Sequence, residues 1–101
     1  MSKQQWGHGF HSGFASAQKK AHEQSNFPVG FFFTVKDNGK IERQGKVIAK
    51  SGNKYLVKYF SWIDGSMSEK VHPFSQKDME NWDWYQSDKD MRDAIERSFG
   101  P

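Results

Sequence analysis

The side chains best equipped for chemistry in this 101-residue chain are four histidines and a late run of carboxylates. His8 and His11 stand three residues apart and, with His22, offer nitrogen ligands of the kind that hold zinc. They sit in a lead broken by Gly7, Gly9 and Gly13, which supplies no rigid geometry and no fourth ligand, so no metal is expected. The run Gly7-His8-Gly9-Phe10-His11-Ser12-Gly13 lacks the third glycine of a dinucleotide fingerprint and follows no strand, so it is not a phosphate loop, and no cofactor is expected. His72 precedes Pro73 at a strand end, a place for a capping side chain. Asp88, Asp90, Asp93 and Glu96 belong to a run of helical i, i+4 pairs: Asp88 with Arg92, Lys89 with Asp93, Arg92 with Glu96 and Asp93 with Arg97. They also load a helix start with anions, as its dipole favours, and a solvated helix face accounts for them. With no cysteine there is no thiol nucleophile, thiolate metal site or disulfide framework. No catalytic residue emerges, and a non-enzymatic chain is expected, although a site shared between symmetric copies would leave no mark on one chain.

What remains is charge interleaved with aromatic side chains. The formal net charge is +3 and aromatics reach 16 %, with four Trp, three Tyr and nine Phe, at a mean hydropathy of -0.93. Such aromatic content belongs to a folded domain, not to a disordered chain. The charge is divided unevenly. Residues 1–26 carry three lysines against one glutamate, residues 27–75 eight cations against four anions, and residues 76–101 four against seven. The chain therefore has a basic middle and an acidic tail.

These residues need elements to position them. Ser12 caps an expected amphipathic helix from about Gly13 to Gln24, with Phe14, Ala17 and Ala21 on one stripe. Asn26-Phe27-Pro28 ends it. Then the period becomes strand-like: Val29 to Lys36, a hairpin at Asp37-Asn38-Gly39, Lys40 to Lys50 with a bulge or bend at Gly45, a turn at Ser51-Gly52-Asn53, Lys54 to Trp62, and Met67 to His72. A meander this small has exposed edges, and closure into a barrel removes them. Ser75 caps a short turn through Gln76 to Trp82. Ser87 with Asp90 opens a final helix whose stripe is Met91, Ala94, Ile95 and Phe99. Three segments follow: a flexible lead and helix over residues 1–26, a barrel over 27–75, and an acidic helical tail over 76–101, packed on the barrel or on a partner.

The stretches Gly45-Lys46-Val47-Ile48-Ala49-Lys50, Lys54-Tyr55-Leu56-Val57-Lys58-Tyr59-Phe60-Ser61-Trp62 and Asp64-Gly65 resemble the second and third strands of SH3-like barrels of the Tudor and chromo-barrel type. The resemblance covers about half of the chain and implies a mainly β fold, a small SH3-like antiparallel barrel with an N-terminal helix and a C-terminal helical tail. Chromo-barrel readers continue into an acidic-aromatic strand; here that place holds Met67-Ser68-Glu69-Lys70-Val71.

Strand alternation places Val47, Ala49, Tyr55, Val57 and Tyr59 inside. It leaves Lys46, Lys50, Lys54 and Lys58 outside among Ile48, Leu56 and Phe60, a face too apolar to stand wholly wet. Two readings compete. In one, Arg43, Lys46, Lys50, Lys54 and Lys58 track phosphates while Phe60 or Trp62 stacks on bases, giving nucleic-acid binding with little sequence specificity. In the other, Met91, Ile95 and Phe99 of the final helix cover Ile48, Leu56 and Phe60, or meet a partner protein or second copy. Trp82, Trp84 and Tyr85 form the densest aromatic cluster, either a staple onto the barrel or a partner-binding groove; if the stretch is extended, one Trp is expected to face in and the other out. The first fourteen residues lack the apolar run of a secretory leader, and Phe31–Phe33 with Val29 and Val35 is too short for a span of about 20 residues. A cytoplasmic location and no membrane partner are the expectations.

Overall fold

The computed structural model describes residues 11–21 and 26–99, and the backbone alone for residues 11, 12, 20 and 96–99. His8 and His22, two of the weighed metal ligands, and the Phe99 side chain lie outside the described set. The protein is mainly β: strands β1 (His11–Ser12), β2 (Phe32–Asp37), β3 (Lys40–Ser51), β4 (Lys54–Tyr59), β5 (His72–Phe74) and β6 (Asp83–Tyr85) form one antiparallel sheet in the order β1-β6-β2-β3-β4-β5. Helices α1 (Phe14–Lys20) and α2 (Asp88–Phe99) and a 3-10 turn at Lys77–Met79 complete it. Among the described residues no helix is long and apolar enough to cross a membrane.

The turns follow their sequences. Asn38 and Gly39 both take positive φ, 55° and 79°, as a type I′ hairpin demands, and Gly52 opens the next turn at φ 62°. Gly45 serves a different purpose from the bulge expected of it. It pairs regularly with Phe33 and Tyr59, and a Cβ there would strike the Lys58 carbonyl and come within 2.8 Å of the Phe33 ring. Close backbone approach is what requires glycine. The bulges fall elsewhere, between Val35 and Lys36 opposite Arg43 and Ile41, and at Ile48 between Val47 and Ala49.

The sheet does not close into the expected barrel, because its end strands β1 and β5 do not pair with each other. The acidic tail enters the sheet instead: β6 lies between β1 and β2. The strand expected at Met67 to His72 is reduced to a bridge from Met67 to Phe60 and to β5, which begins at His72 and contains Pro73. Edges of two and three residues, one carrying a proline, are blunted without closure. Helix α1 is shorter than expected; its N-cap is Gly13, with no side-chain cap, and Ser12 belongs to β1.

The sheet separates two cores. On the inner face Phe33, Val47, Val57 and Trp84 meet Phe14, Ala17 and Ala21 from α1 and its C-terminus, with Met79 and Trp82. Trp82 stacks on Phe33 at 4.5 Å, and Phe14 and Phe27 meet Trp84 edge-on at 5.9 and 5.1 Å. Each such ring removes about 150–250 Å² from water. Positions two apart on an extended chain share a face, so Trp82 and Trp84 both turn inward, contrary to the expected division. On the outer face α2 packs over β2, β3 and β6, with Met91, Ala94 and Tyr85 buried against Phe32, Phe60 and Met67. Its start is held by Ser87, whose hydroxyl accepts the Asp90 N–H at 3.1 Å.

Candidate functional site

The extra residue Ile48 decides where the cations go. Before it, Lys46 pairs with Lys58 on the outer face, beside Phe32; after it, Lys50 pairs with Tyr55, whose ring lies against the inner core. A one-residue insertion reverses the alternation of everything beyond it. Arg43 also belongs to the inner side, its guanidinium 4.7 Å above the Tyr59 ring, and Lys50 caps the Tyr55 ring at 5.4 Å. The single five-cation surface expected from the sequence is thus two surfaces: Lys46 and Lys58 outside, with Lys54 on the same face at the β3–β4 turn, and Arg43 and Lys50 inside. Ala49, expected in the core, follows the same reversal and opposes Leu56.

The outer face is half covered. Phe60 lies under α2, with the Arg92 guanidinium 4.6 Å from its ring, while Ile48 stays exposed. The helix stripe covers the Phe60 end of this face, and beyond it Lys46 and Lys58 are half-buried while Lys54 is exposed. At the border lies a hollow of about 240 Å³ between Phe32, Lys46, Phe60, Met67, Asp88 and Arg92. Three exposed apolar side chains lie on the segments around this strip of lysines: Ile48 on β3, Trp62 just after β4, 48 % exposed, and Val71 just before β5. Like charges directly opposite on neighbouring strands are destabilising. Among the described residues neither Lys46 nor Lys58 has a carboxylate within ion-pair distance, although Lys36–Asp83, Lys89–Asp93 and Arg92–Asp88 are paired.

Gln44 gave no signal in the sequence, yet it fixes this site. Its side chain is fully buried; Nε2 donates to Thr34 Oγ1 at 2.9 Å and to the Met91 carbonyl at 2.7 Å, while Oε1 accepts the Trp62 indole N–H at 3.1 Å. One amide thus joins the sheet, α2 and the Trp62 loop. Ile63, at the tip of that loop, is also absent from the sequence-derived set, because exposure in a turn has no signature in residue type.

Trp82, Trp84, Tyr85 and Met91, read from the sequence as partner-binding, are buried in the chain's own cores, and Ile95 is half-buried. They fasten the tail to the sheet. On the inner side a cleft of about 420 Å³ opens between Val35, Arg43, Tyr59, Phe74, Asp78 and Trp82. There burial pushes the Tyr59 hydroxyl up from its ordinary value, against the opposing Arg43 charge, and His72 lies over the same ring at 4.5 Å. The Ser75 N–H and hydroxyl hold the Asp78 carboxyl below its ordinary value, with smaller help from Lys54 and Lys77. Among the described residues no cluster of three His, Asp or Glu side chains is placed to hold a metal. No protein-family model, curated protein or solved structure matches the chain.

Proposed function

We propose that this chain is a non-enzymatic binding module that takes single-stranded nucleic acid along the open strip of its outer face. The observation that carries the reading is the directly opposed pair Lys46 and Lys58, with no carboxylate within ion-pair distance among the described residues, on strands that lead towards the exposed Trp62. A polyanion relieves the repulsion between two facing lysines, and an exposed indole offers a stacking surface to any base. Lys54 extends the line of positive charge, about 13 Å along the strand from Lys58 at 3.3 Å per residue. Contacts of this kind read the backbone and carry little sequence information. The SH3-like character of residues 27–75 belongs to the same proposal; the bent, twice-bulged β3 and the close-approach Gly45 support it.

The test is a fluorescence-anisotropy titration of a single strand of about 12 nucleotides, within the usual site size of small β-barrel binders. Three lysine–phosphate contacts predict that log K falls against log salt with a slope of about -2. Affinity unchanged between about 50 and 200 mM salt overturns the proposal.

A further inference from the structure

The loop over residues 61–66 is closed on itself. Ser61 N–H donates to the Ser66 carbonyl at 2.8 Å, Gly65 N–H to the Ser61 carbonyl at 2.9 Å, and the Asp64 carboxylate accepts the Ser66 N–H and hydroxyl at 3.1 and 2.8 Å. Two outside bonds clamp it: the Trp62 indole to Gln44 on the sheet, and Arg92 of α2 to the Gly65 carbonyl at 3.3 Å. At its tip Ile63 is 97 % exposed. A lone exposed isoleucine is ordinary. This one is mounted on a hydrogen-bonded frame, next to the exposed Trp62 and on the loop that follows the strand carrying Lys58.

We infer that Ile63 is a wedge that inserts between neighbouring bases of a strand held by Lys46 and Lys58. The preferred ligand class is then nucleic acid with poorly stacked bases, such as a pyrimidine-rich single strand or a gapped or mismatched duplex, over intact duplex. The inference rests on the nucleic-acid reading of the strip. Aliphatic side chains serve as wedges in architectural nucleic-acid binders, and insertion costs least where bases are already unstacked. Lysine contacts to phosphate alone would give no such preference. Asp64, beside Ile63, repels phosphates from the tip, so the backbone runs along the lysines and the tip meets bases.

The test compares wild-type protein with Ile63→Ser on a thymidine-rich strand carrying one 2-aminopurine, whose fluorescence rises on unstacking, and on the same strand in an intact duplex. Wild type is expected to raise the fluorescence and to favour the single strand roughly tenfold, the scale of one base-stacking contact. Ile63→Ser is expected to keep salt-sensitive binding while losing both the rise and the preference; since the side chain is exposed, the fold is untouched. Equal preference and equal fluorescence in the two proteins would overturn the wedge and leave the strip standing. Wild-type protein that binds no oligonucleotide at low salt overturns strip and wedge together. Protein that sediments with phosphatidylserine–phosphatidylcholine vesicles in that case points to an anionic lipid surface taking Ile63 instead.

Discussion

The two faces of this sheet use the same strands and end in opposite conditions. The inner face is sealed by rings from α1, β6 and the 3-10 turn, and its cations Arg43 and Lys50 lie over the Tyr59 and Tyr55 rings at the rim. The outer face is partly closed by α2, fastened through Gln44, and elsewhere presents facing lysines with no carboxylate within ion-pair distance among the described residues. Aromatic packing secures the fold on one side, and incomplete coverage leaves a charged surface on the other. The hinge between the two conditions is Ile48, because without that extra residue Lys50 would join Lys46 and Lys58.

The comparison breaks most visibly at its inner side. Trp84→Ala is expected to cost about 3–5 kcal/mol, a large part of the 5–15 kcal/mol typical of a small domain, measured by urea denaturation. A loss below about 1 kcal/mol would mean that the inner aromatics do not carry the fold. Next is the buried amide: Gln44→Leu strands the Trp62 N–H and the Thr34 hydroxyl, for an expected loss of about 1–3 kcal/mol and a shift in Trp62 emission. On the outer strip, Lys46→Glu with Lys58→Glu is expected to leave the unfolding free energy from urea denaturation within about 0.5 kcal/mol of wild type, while removing oligonucleotide binding.

The smallest effect is acidic. The Asp78 carboxyl is held low by Ser75, so its contribution to stability is present above its unfolded value near 3.8 and is lost as pH falls through the lower folded value. Ser75→Ala, which removes the hydroxyl and keeps the Ser75 N–H, should therefore lower stability slightly at neutral pH, converge with wild type at the acid end, and so make the acid limb shallower. An unaltered acid limb would remove the Ser75 hydroxyl as a cause and leave the Ser75 N–H.

Local chemistry was legible in the sequence and connectivity was not. The Asn38-Gly39 hairpin, the Ser87 cap and the buried positions Val47 and Val57 follow from residue type and alternation. The insertion of β6 beside β2 was hidden, because Trp82-Asp83-Trp84-Tyr85 reads equally as a staple or as an exposed patch until its pairing partner is known. Ile48 carries no mark of a bulge, so strict alternation placed Lys50 and Ala49 on the wrong faces. Gln44 is a polar residue whose burial depends on three partners far away in sequence. These are long-range facts, and single-sequence periodicity reports only near neighbours.

The most direct test of the two-face account sets one pair of charge reversals against the other in the same low-salt oligonucleotide titration. Lys46→Glu with Lys58→Glu is expected to abolish binding, and Arg43→Glu with Lys50→Glu to retain most of it. Equal losses from the two pairs, or a greater loss from the inner pair, would contradict the assignment of ligand binding to the open outer strip.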